Sequence, residues 1–170
     1  GLIIKDLSEL VEERLKQMLR SNPARIDYYE RYQNIIEQYN AEKDRSEIER
    51  IFDELTKLAQ DLSQEEKRYV REGFSSDEEL SVFDLLFKED LNKKEIETIK
   101  KVAVDLLAKV KAKISELDHW TDKTETKAII DNLIRDTLWA ELPESYDELS
   151  VSAYRQEIYQ YIYMRYKNVA

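Results

Sequence analysis

Cysteine is absent from this sequence, which excludes disulfides, zinc ribbons and thiol catalysis and permits, without requiring, a reducing cytoplasmic setting. Glycine and proline are scarce as well. Gly1, Gly73, Pro23 and Pro143 are the whole supply, too few for the tight turns of hairpins and sandwiches or for loops that cradle phosphate. A P-loop needs glycines whose backbone N–H groups approach phosphate, followed by lysine; with Gly73 the only internal glycine, no motor site is expected. His119 is the single histidine, so no histidine pair is available for metal or proton-transfer chemistry. No run approaches the roughly 18 consecutive apolar residues of a membrane span, and no basic, apolar, small-residue leader opens the chain. No membrane partner is therefore expected, and a cytoplasmic location is. The absence of an initial methionine at Gly1 leads us to expect a processed chain or a part of something longer.

What is present is charge and helical periodicity. The 170 residues allow one domain, or two small ones sharing a core. The formal charge of -10 opposes broad binding of a phosphate backbone. The charge is uneven, however. Acids dominate residues 41–90, as in Asp77-Glu78-Glu79, whereas Lys93, Lys94, Lys100, Lys101, Lys109, Lys111 and Lys113 crowd one later segment.

Apolar residues recur at spacings of three and four along most of the chain. Ile4, Leu7, Val11, Leu15 and Met18 share one helical stripe that Asn22-Pro23 ends, because the residue before proline is pushed out of the helical region. Tyr28, Tyr32, Ile35, Ile36 and Tyr39 mark a second helix with Asn40 as its stop. Four helix starts pair a polar cap with glutamate three residues on: Asp44 with Glu47, Ser63 with Glu66, Ser76 with Glu79, and Asn92 with Glu95. They open helices over 45–62 (Ile48, Ile51, Phe52, Leu55 and Leu58 inward), a short turn capped by Gly73, 77–87, and a long helix over about 93–117. On that last helix Ile96, Ile99, Ala103, Leu106, Leu107, Val110, Ile114 and Leu117 cover one side, and the lysines fan over the other. Asp118-His119-Trp120 breaks the pattern. A helix over about 123–139 is built around Ile129, Ile130, Leu133, Ile134 and Leu138, Pro143 marks a loop, and a last helix spans about 151–166. The fold class expected is all-α, a bundle-like arrangement of about seven or eight helices.

Few residues suggest chemistry. Glu65-x-Lys67 and Glu125-x-Lys127 match the Glu-x-Lys of metal-dependent nucleases, but both lie in charge-rich helices where such triplets arise by chance. Trp120 and Trp139 read as core anchors rather than ligand stackers. On the last helix Val151, Tyr154, Ile158, Tyr161 and Ile162 form one stripe, and Tyr159, Tyr163 and Tyr166 form a second. Tyrosine buries an apolar ring with a polar tip, so the second stripe reads either as packing between neighbouring helices or as a partner-binding surface. The lysine fan likewise reads as a solubilising face or as a contact for phosphate or an acidic protein.

Several strings are too particular to be helix filler: Asn22-Pro23-Ala24-Arg25-Ile26-Asp27-Tyr28-Tyr29-Glu30, Glu42-Lys43-Asp44-Arg45, Val70-Arg71-Glu72-Gly73, Phe83-Asp84-Leu85-Leu86, Ile99-Lys100-Lys101-Val102-Ala103, and Asp118-His119-Trp120 followed by Asp122-Lys123 and Thr126. In this order the series resembles the C-terminal helical region of the R (restriction) subunit of type I restriction enzymes, over about residues 22–166. The resemblance implies the tail of a large subunit whose nuclease and ATP-driven DNA-translocating motor lie upstream. It implies that the tail helps dock that subunit onto a methyltransferase core of modification and specificity subunits. None of the family's catalytic motifs falls on a position of this sequence, so no catalytic, cofactor or metal residue is carried over. ATP and Mg²⁺ are implied for the parent subunit only.

The expected organisation is a lead-in helix over 1–22, continuing the preceding part of the subunit, and an assembly domain over 23–170. Its partners would be the methyltransferase core and the upstream domains, with Tyr159, Tyr163 and Tyr166 as the candidate binding stripe. The alternative is a DNA-contacting or motor-coupling role for the lysine-rich helix over 93–113.

Overall fold

A computed structural model describes residues 2–41 and 44–168. Among them eight α-helices and no strand are present: α1 (Leu2–Ser21), α2 (Ile26–Ala41), α3 (Arg45–Glu66), α4 (Arg68–Arg71), α5 (Asp77–Leu86), α6 (Lys93–Glu116), α7 (Thr124–Glu141) and α8 (Glu148–Tyr166). A single 3-10 turn, Pro23–Arg25, separates α1 from α2. The expected all-α fold is thus the observed one. No described helix is long and apolar enough to cross a membrane.

The chain divides into two compact units, Gly1–Ser81 and Val82–Ala170, and the division falls within α5. This differs from the sequence expectation, which set residues 1–22 apart from 23–170. The reason is packing. Ile4, Val11, Leu15 and Met18 of α1 share one core with Tyr32 and Ile35 of α2 and Ile51, Leu55, Leu58 and Leu62 of α3, so the leading helix is a wall of the first unit. Leu15, Ile51, Leu55, Leu58 and Leu62 have no exposed surface, and cutting any of them to alanine would cost about 2–5 kcal/mol.

Local chemistry sets the ends of these helices. Asn22 is buried and accepts a hydrogen bond from the Ala24 N–H at 3.0 Å, with Pro23 at the first position of the turn where its missing donor costs nothing. The expected helix start at Ser63 does not occur: α3 runs through it to Glu66. There the Ser63 hydroxyl donates to the Ala59 carbonyl at 3.2 Å and accepts from Arg14 at 3.1 Å, while Leu62 and Glu65 on either side are buried. Tertiary burial outweighs the capping signature. After α4 the chain reverses at Gly73, whose φ of 86° lies in the left-handed region that favours glycine. The Phe74 N–H reaches the Tyr69 carbonyl at 2.8 Å and the Gly73 N–H reaches Val70 at 3.0 Å, the paired bonds of a Schellman cap, with Phe74 buried.

In the second unit α7 packs against both α6 and α8. A full capping box opens α6: Asn92 Oδ1 accepts from the Glu95 N–H at 2.8 Å, and Glu95 Oε1 accepts from the Asn92 N–H at 3.2 Å. Ile99, Leu106, Val110 and Ile114 of α6, Ile130, Ile134 and Leu138 of α7, and Val151, Ile158 and Ile162 of α8 are buried. Two expectations are corrected here. Trp139, read as a core anchor, is 53% exposed, and Ile129, placed inward, is 41% exposed. Thr137 is buried on α7 instead, so the inward face is rotated from the one read off the apolar residues alone.

Candidate functional site

Trp120 organises the end of the second unit. It has no exposed surface. It follows His119, whose φ of 46° turns the chain sharply between α6 and α7. Its indole N–H donates to the Tyr166 carbonyl at 3.0 Å, satisfying one of the carbonyls that the last turn of α8 leaves open. Its own carbonyl accepts from the Thr126 hydroxyl in the first turn of α7. The rings of Tyr159 and Tyr163 stand edge-on to Trp120 with centroids at 6.3 Å and 5.8 Å, and at 6.2 Å from each other. Such arrangements contribute about 0.5–1.5 kcal/mol each beyond the area buried.

The candidate tyrosine stripe is therefore a flank of α8 that leans on Trp120. Tyr159, Tyr163 and Tyr166 are half-buried. The structure brings the first two together on Trp120 and ties the third through its backbone. Burial, helped by the Asp131 carboxylate and Tyr163, pushes the Tyr159 hydroxyl above its ordinary range and keeps it neutral. Beyond this flank, residues at about 100° per residue place Leu149, Ser152, Ala153, Gln156, Gln160 and Met164 on the outward side of α8. All six are exposed, Leu149 by 84% and Met164 by 63%, and the exposed carboxylate of Glu157 borders them.

The lysine face of α6 is split by its neighbours. Lys109 bridges Asp105 at 2.9 Å and Glu141 of α7 at 3.0 Å, and Lys113 pairs with Glu116 at 3.2 Å. The two carboxylates hold the Lys109 ammonium charged to higher pH than usual. Burial, followed by the hydrogen bond with Asp105, pushes Glu141 up, while Asp105 is held down by its hydrogen bonds to Glu141 and Lys109. Lys100 stands 4.0 Å from Glu97 and 6.0 Å from the Phe83 ring centre. Lys93, Lys94, Lys101 and Lys111 are exposed and have no carboxylate in ion-pair range among the described residues.

The two Glu-x-Lys triplets form no acidic centre. Glu65 is only 4% exposed and accepts from Arg25 Nε at 2.8 Å and from Arg68 at 2.8 Å and 3.0 Å. Glu125 lies exposed in the first turn of α7. No group of three or more His, Cys, Asp or Glu side chains is placed to hold a metal ion among the described residues. His119 Nε2 lies 3.5 Å from Asp118 Oδ1, with both side chains in solvent. A groove of about 670 Å³ runs between α2 and α3, but its cations are occupied: Arg50 by Glu47 and Glu54, and Arg31 and Lys57 by Asp61.

Sequence reasoning passed over the buried polar residues. Arg25, 3% exposed, binds Asp77 through two nitrogens at 2.7 Å and 3.1 Å as well as Glu65. Asp77 also accepts from Ser21 Oγ at 2.5 Å, so the ends of α1 and α3, the 3-10 turn and the start of α5 meet on one guanidinium. Tyr146, 5% exposed in the loop after Pro143, donates to the Leu86 carbonyl at 2.6 Å, and its ring is covered by Tyr154 and by Lys88 Nζ at 4.5 Å. Position within the Asn22–Glu30 string was the only signal for Arg25. For Tyr146 there was none.

Among known protein families, the one described as type I restriction enzyme HindI endonuclease subunit-like, C-terminal, matches residues 1–161. No curated protein and no solved structure matches the chain.

Proposed function

The chain belongs to the family of C-terminal regions of type I restriction enzyme HindI endonuclease subunit-like proteins, and on that premise we propose that it is a non-catalytic assembly module. It docks the nuclease and motor subunit onto the methyltransferase core of modification and specificity subunits, in the cytoplasm. The observation that carries this reading is the family match over residues 1–161.

The geometry supports a recognising rather than a reacting surface. The one internal glycine closes a Schellman cap and cradles nothing, and Glu65 is spent on two arginines inside the first unit. These residues do not fit ATP or Mg²⁺, and in this reading both groups act in other parts of the subunit. Mixing the chain with purified methyltransferase core and following both by size-exclusion chromatography tests the proposal: co-elution is expected, and separate elution counts against it.

The second reading, a DNA contact through α6, has one observation in its favour, the four exposed lysines without acid partners. Asp105, Glu97 and Glu116 are interleaved on the same face and oppose it. A gel-shift titration at low salt decides, since phosphate contacts are strongest there. No retardation is expected for the chain alone. Retardation abolished by Lys94→Glu with Lys101→Glu would favour the DNA contact.

A further inference from the structure

We draw no further inference here: the strongest candidate, the groove between α2 and α3 lined by the carboxylates of Asp27, Glu30 and Asp53, is a cluster of acidic side chains with no second observation pointing to a ligand, and nothing in the structure shows what covers it.

Discussion

Where Gly1–Ser81 gathers its helix ends on a guanidinium buried among carboxylates, Val82–Ala170 gathers its own on two aromatic side chains whose polar atoms reach backbone carbonyls. Arg25 and Glu65 are buried, at 3% and 4% exposed, among leucines with no exposed surface. The attraction of such a group of charges is largely offset by the water it gives up, so the network specifies how the ends meet more than it stabilises the unit. Trp120 and Tyr146 add apolar area and need only one hydrogen bond each. Ionic closure is thus fragile to the loss of one member and tolerant of the loss of all, whereas aromatic closure depends on volume.

The strongest way to break the comparison is Trp120→Ala, which should cost about 3–5 kcal/mol. Hydrogen exchange should quicken in α6–α8 well before α1–α3; equal acceleration in both units would mean that they do not respond separately. Next, Arg25→Ala should cost about 3–4 kcal/mol by stranding Glu65 and Asp77, with the faster exchange now in α1–α3. Adding Arg25→Met, Glu65→Gln and Asp77→Asn together should recover most of that loss in urea denaturation, and a triple variant no better than Arg25→Ala would refute the ionic account.

The same network sets a pH signature. Burial raises Glu65, but the hydrogen bonds from Arg68 and then Arg25 outweigh it and hold the group below its ordinary value of 4.5. Its contribution is therefore complete above about pH 4.5 and is lost as the pH falls through the lower folded value. Glu66, held down chiefly by Arg14, behaves alike. Acid should loosen α1–α3 first, as amide exchange would report, because the carboxylates held down in the second unit, Glu95, Asp105 and Asp147, lie towards solvent whereas Glu65 is buried. A smaller effect is expected for Tyr146→Phe, about 1–3 kcal/mol from the buried Leu86 carbonyl left without its donor. Smallest is Gly73→Ala, about 1 kcal/mol: a Cβ there meets no atom within 4 Å, so only the positive φ opposes it. A melting temperature unchanged by that substitution would show that the turn relaxes.

The helices were legible because their signals are local. Apolar spacing and polar caps located α1, α2, α5, α6 and α8 to within a few residues, and Gly73 as a cap needed only its place after Val70-Arg71-Glu72. What failed depended on distant residues. Ser63 reads as a helix start until Leu62 and Glu65 are known to be buried together, and Trp139 reads as a core anchor until Thr137 is found on the inward face. The Arg25 network joins residues 40 and 52 positions apart, a relation that no window of sequence contains. The candidate site was half legible: the tyrosines were seen as a stripe, but what they lean on, Trp120, lies on the far side of a whole helix in sequence.

The distribution of indole has a practical consequence. Both tryptophans lie in Val82–Ala170, one sealed and one in water, while the Gly1–Ser81 unit absorbs light only through tyrosine and phenylalanine. Excitation selective for indole therefore watches one unit alone, and within it a water-borne quencher reaches Trp139 while sparing Trp120. The chain is its own two-channel optical gauge, in which the unquenched emission follows the integrity of the turn between α6 and α7 without any added label.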